Sequence, residues 1–209
     1  MEAFVARSRD AICQTLMHAA HDAFRRDLDR LAAAVAAGKG GAAHVRDGWD
    51  NLKDQLRMHQ DVGERLLWPR VEHALAGRPA ERAVLADMRD GHARIAALTA
   101  CVDAALEDGR GAVAAVLALR ETLEGHLRHE ESTALPLAES VLEAGEWRAL
   151  AAEAEGRCAP AAPLFVPWVV DGIAPVDRSR FLTALPGSVR ARNRVTWEPR
   201  YRKRRLWSI

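Results

Sequence analysis

Apolar side chains recur at intervals of three and four residues through four long stretches of the chain, and each stretch ends at or near glycine or proline. That period puts the apolar set on one face of an α-helix. The first stretch, about residues 8–37, carries Ile12, Leu16, Ala20, Phe24, Leu28, Leu31 and Val35 and stops at Gly38-Lys39-Gly40-Gly41, with Ser8 or Asp10 as its expected cap. The second, about 43–75, carries Trp49, Leu52, Leu56, Leu66, Leu67 and Val71. The third, about 80–106, carries Val84, Leu85, Met88, Ile95, Leu98 and Val102, and the fourth, about 112–142, carries Val116, Leu119, Leu123, Leu127, Leu135 and Val141. Short connections between long amphipathic helices make neighbours antiparallel, so the expected fold is all-α, an up-down-up-down four-helix bundle. A short fifth helix is expected at about 146–157.

A chain of 209 residues can bury one such core and still carry an extension. The expected division is 1–157 for the bundle and 158–209 for an irregular, proline-rich, basic extension. Pro160, Pro163, Pro167, Pro175, Pro186 and Pro199 are spaced too closely for long helices, although a short one is expected at about 177–185. The run Leu164-Phe165-Val166-Pro167-Trp168-Val169-Val170 is too apolar to stay in water and is expected to dock on the bundle.

Charge is unevenly spread. Against a whole-chain formal charge of +1, residues 190–209 hold eight basic side chains and one acid. Nucleic acid or an anionic surface is one partner for such a tail; packing against the acidic remainder of the chain is the favoured reading. No window approaches the length of an apolar membrane span, and the first residues lack the pattern of a secretory leader, so a soluble, cytoplasmic protein is expected. The odd set of Cys13, Cys101 and Cys158 fits reduced, mostly buried thiols rather than a disulfide framework.

Four of the eight histidines, His21, His59, His92 and His126, fall one to a helix. His21 lies about sixteen residues before the first helix ends and His59 about sixteen after the second begins, so an antiparallel pair brings them level. The same count, about fifteen, relates His92 to His126. An internal echo joins the two halves: His59-Gln-Asp-Val-Gly-Glu64-Arg-Leu-Leu-Trp-Pro69 aligns without gaps on His126-Leu-Arg-His-Glu130-Glu131-Ser-Thr-Ala-Leu-Pro136. In both, an acid follows the histidine by five and a proline by ten. Imidazole nitrogen with carboxylate oxygen is the donor set that suits iron, manganese or zinc. Without a cation, so many polar groups inside a bundle would be costly to bury. The candidate ligands are His21, His59, Glu64, His92, His126 and either Glu130 or Glu131.

At these residues the sequence resembles the hemerythrin family, the HHE cation-binding domains, over roughly residues 8–145. The family's pattern is a histidine on the first helix, His-x3-Glu on the second, one or two histidines on the third, and a histidine with an acid four or five later on the fourth. His21, His59, His92 and His126 fall on ligand positions, Glu130 on the four-spaced acid and Glu131 on the five-spaced one. The resemblance implies iron, two ions per chain, with manganese or zinc as alternatives. It also implies dioxygen, peroxide or nitric oxide as the species bound, sensed or turned over, including diiron oxidase or peroxide-decomposing activity.

The chain departs from the pattern at two places. Gly63 stands where the bridging glutamate of the second helix should be, with a helix-propensity cost of roughly 1 kcal/mol. Ala96 stands where a second histidine of the third helix would be. Glu64 is the expected replacement bridge, with His18 and Asp61 in reserve; His44, His73 and His129 read as solvent-facing or capping. A pocket opened by Gly63 and Ala96 would suit the alternative of a diiron enzyme oxidising a small organic substrate. A metal-free bundle acting through its basic tail is the remaining alternative.

Overall fold

The computed structural model describes the backbone of residues 2–208 and the side chains of residues 15–208. The side chains of Ser8, Asp10, Ile12 and Cys13, which the sequence marks as caps, a core position and a thiol, lie outside the described residues. Every regular element among those described is helical. In order they are α1 (Glu2–Ala36), α2 (Ala43–Val62), a π-helical turn (Gly63–Leu67), α3 (Trp68–Ala74), α4 (Pro79–Asp108), α5 (Ala112–His129), a second π-helical turn (Glu130–Ala134), α6 (Leu135–Val141), α7 (Ala144–Cys158), α8 (Ala162–Val169), α9 (Pro175–Ala184), α10 (Gly187–Arg192), a third π-helical turn (Asn193–Trp197) and α11 (Glu198–Lys203).

Two compact units divide the chain: residues 24–143 with 207–209, and residues 1–23 with 144–206. In the first, the periodic apolar residues form the core. Phe24, Leu28, Leu31, Trp49, Leu52, Leu67, Ile95, Val102, Leu119, Leu123 and Leu127 are all sealed from solvent. Between α4 and α5 the chain turns at Gly109 and Gly111, whose positive φ values of 68° and 72° an L side chain would resist, and the two helices pack along their length. The unit also receives the chain's end, where the Trp207 N–H donates to the His44 carbonyl at 3.1 Å.

The echoed segments each contain a π-helical turn, for one reason. Pro69 and Pro136 have no N–H to donate, and their rings would strike the carbonyl four residues back in an α-helix. Widening the preceding turn relieves both. The Trp68 N–H accordingly reaches five residues back to the Gly63 carbonyl, and the Leu135 N–H reaches the Glu130 carbonyl. Pro199 repeats the device, with the Glu198 N–H on the Asn193 carbonyl.

In the other unit, proline spacing predicts an irregular wrap with short helices for residues 158–209, and the described residues there form short helices, α9 falling close to the one expected at about 177–185. Pro163 and Pro175 sit in the first turns of α8 and α9, where a missing N–H costs nothing and the fixed φ favours a helix. Val166, Trp168, Val169 and Val170 are buried, and within the unit α8 packs against α11 and the Asn193–Trp197 turn. Glu198 ties this unit together by accepting from Arg178 at 2.5 Å, Arg202 at 2.6 Å and Asn193 at 3.2 Å. Of the basic tail, Arg190 donates to the Thr183 and Leu185 carbonyls, Arg202 is held by Glu198, and Arg204 lies over the Tyr201 ring.

No helix among the described residues is long and apolar enough to cross a membrane. Neither Cys101 nor Cys158 is in a disulfide among the described residues, and Cys101 lies exposed on the outer face of α4 rather than buried.

Candidate metal centre

The inward faces of α2, α4 and α5 carry the histidines, and the π-helical turns that follow α2 and α5 carry the acids. Glu130 opens the second of those turns, four residues after His126, and is almost wholly buried. Its Oε2 lies 3.4 Å from His59 Nε2. The edge of the Phe24 ring packs on the same imidazole, with centroids 5.5 Å apart at 73°, which limits how the ring can turn.

A second constellation forms around His92. Its ring faces His126 with centroids 4.7 Å apart, and both rings are buried. Glu64, half exposed, brings Oε1 to 2.8 Å from His92 Nδ1. Glu64 therefore serves the histidine of α4 rather than the one five residues before it on its own helix. Because His126 and Glu130 are one turn apart on a common face, the two constellations lie roughly one helical turn, about 5–6 Å, from each other.

Gly91 makes the histidine pair fit. A Cβ built there would lie 2.3 Å from His126 Nδ1, far inside contact distance. Gly63, at the expected bridging position, is buried, and a Cβ on it would meet Trp68 Nε1 at 3.0 Å. The indole, not open space, thus occupies what a side chain at position 63 would take. Ala96 is exposed; the buried residue one turn after His92 is Ile95. A histidine at position 96 would face solvent, so the spaces expected of Gly63 and Ala96 are absent, the first filled and the second outside the core.

Glu131 takes a different role from its neighbour. Arg25 clamps it through two parallel contacts of 3.0 and 3.1 Å and also donates to Glu124 at 2.7 Å. Partial burial opposes the Arg25 charge, but these hydrogen bonds outweigh it and hold the guanidinium protonated more firmly than usual. Asp61 pairs with Arg65 on its own helix. His73 is exposed, and His44 and His129 are half-buried.

On α1, His21 is completely buried and lies one turn before Phe24, while His18 is exposed; their rings meet edge to face at 6.1 Å. The side chains suited to holding a cation include His18, His21, His59, Glu130 and Glu131. Arg25, Gly91 and Trp68 escaped the sequence reading. Arg25 stands four residues after His21 and Gly91 beside His92, but neither spacing announces a contact across helices.

The donor chemistry fits a cation. A buried carboxylate faces one imidazole, two further imidazoles face each other beside a second carboxylate, and all are nitrogen and oxygen donors of the kind that ligate iron, manganese or zinc. The hemerythrin HHE cation binding domain matches over residues 14–138. No curated protein and no solved structure matches the chain.

Proposed function

Since this chain belongs to the hemerythrin HHE cation-binding family, we propose that it is a non-haem diiron protein built on an up-down-up-down four-helix bundle, binding, sensing or reacting with dioxygen, peroxide or nitric oxide. The observation that carries the reading is the buried Glu130 carboxylate facing His59 at 3.4 Å, one turn from the His92–His126 pair. A buried carboxylate oxygen beside an imidazole nitrogen is a donor pair that suits a cation.

In this reading His59 and Glu130 hold one ion, and His92 and His126 hold the other with Glu64 behind His92. When bound, iron supplies redox chemistry and open coordination positions for small oxidants. The protein's own part is orientation and exclusion of water. Phe24 fixes the His59 ring, Gly91 admits His126, and the Glu64 carboxylate orients His92 through Nδ1, leaving Nε2 as the ligand atom. Arg25 holds Glu131 directed to itself, which leaves Glu130 as the acid of α5's end that serves the centre.

Metal analysis of the purified full chain, with ultraviolet and visible spectra before and after peroxide, tests this. About two iron ions per chain and an oxo-bridge band are expected. His59→Ala should lose at least one ion while keeping its helical circular dichroism. Protein that emerges metal-free from iron-replete cells, or a His59→Ala variant with full metal content, would overturn the reading.

A further inference from the structure

Beside His92 a cavity of about 250 Å³ opens between Glu64, Trp68, Pro69, Leu85, Arg89 and His92. One wall is apolar, made by Pro69, Leu85 and the indole of Trp68. The polar groups differ in what they have left to give. Glu64, the anionic group of the wall, is engaged through Oε1 with His92 Nδ1 at 2.8 Å. Arg89 reaches Glu72 at 2.7 Å, but the same carboxylate also takes Arg82 at 2.9 Å, so two guanidinium groups share one negative charge. More than half exposed, Arg89 keeps donors in hand. Trp68 is nine-tenths buried, and its Nε1–H, packed beside Gly63, has no acceptor among the described residues. Arg89 is the lining group with donors left over for an anion.

We propose that this cavity binds a small organic carboxylate, with Arg89 as its charge partner and the Trp68 indole as its apolar wall. The volume lies below the range of drug-sized ligands, about 300–1,000 Å³, so the guest is a short-chain or single-ring acid rather than a large cofactor. Held there, it lies against His92. Its role as a substrate or modulator of the centre rests on the diiron reading above; its binding does not.

Benzoate is the probe. Calorimetric titration of the full chain is run against benzoate and its neutral isostere benzamide, with iron content measured on the same sample. Saturable benzoate binding is expected, at least about tenfold tighter than benzamide, since a charge-assisted hydrogen bond is worth that much. Arg89→Gln should weaken benzoate by a similar factor. Glu72→Gln, which removes Arg89's competitor from the surface, should tighten it. Absence of saturation at millimolar benzoate, equal binding of benzamide, or an unchanged Arg89→Gln titration overturns the proposal. Normal iron with no benzoate binding sinks this proposal alone, and benzoate binding to iron-free protein sinks the metal reading alone.

Discussion

The π-helical turns at Gly63–Leu67 and Glu130–Ala134 share a backbone and differ in chemistry. Each follows a histidine by four residues, each is closed by a hydrogen bond spanning five residues, and each precedes a proline that forces the widening. At the first position, however, one turn carries a buried glutamate facing His59 and the other a glycine covered by the Trp68 indole. At the second position the roles cross: Glu64 reaches His92, whereas Glu131 is captured by Arg25. Proline sets the geometry of such a turn, but one side chain decides whether that geometry delivers a ligand.

The sharpest way to break this comparison is to make the second turn resemble the first. Glu130→Gln keeps the shape and hydrogen-bonding capacity of the side chain but removes its charge. The metal affinity of the full chain is expected to fall at least about 100-fold, consistent with losing a charged group paired inside the protein. Equilibrium dialysis against iron(II) reads this, and an unchanged affinity would mean that Glu131 or another acid is the ligand.

A smaller effect comes from adding one methyl group at each of two buried glycines. Gly91→Ala puts a Cβ 2.3 Å from His126 Nδ1 and must displace the ring, at an expected cost of about 1–3 kcal/mol in urea denaturation together with loss of metal. Gly63→Ala meets Trp68 Nε1 at 3.0 Å, a tight contact that the helix-propensity gain of about 1 kcal/mol offsets. It should stay within about 1 kcal/mol of the parent and keep its metal. The same loss of metal in both variants would undo the assignment of different roles to these glycines.

The smallest expected effect concerns the Arg25 clamp beside the second turn. The hydrogen bond from Arg25, ahead of the opposing burial, holds the Glu124 carboxyl below its ordinary value. A depressed carboxyl contributes stability that is full above its unfolded value, near 4.3, and is lost as the pH falls through the folded value. The urea midpoint should therefore be level with respect to this group at neutral pH and decline below about pH 4. In Arg25→Gln that part of the decline should shrink; an identical acid profile would show that the clamp contributes nothing to folding.

Much of the helical framework was legible in the chain because it depends on residues three and four apart. Leu28, Leu31, Leu52, Ile95, Leu119 and Leu127 are buried where the periodicity puts them, and the long helices end close to the expected glycines and prolines. In the extension the closely spaced prolines exclude long helices and leave short ones, and Pro163 and Pro175 stand in the first turns of α8 and α9. At the candidate centre, the spacing singled out His59, His92, His126, Glu64 and Glu130, but not their pairings. The family pattern made Ala96 the place of a second histidine of the third helix, yet the helix turns it outward and brings Ile95 inward.

Helical periodicity and the one-to-a-helix spacing of the histidines were written in the sequence alone, since both are consequences of a 3.6-residue turn acting over short range. Only the tertiary structure decided that Glu130 meets His59, that Glu64 crosses to His92, that Arg25 takes Glu131 and that an indole fills the place of a side chain at Gly63. Those choices depend on distances of a few ångströms between residues far apart in the chain, and a π-helical turn shifts such distances by widening the helix just where the acids stand.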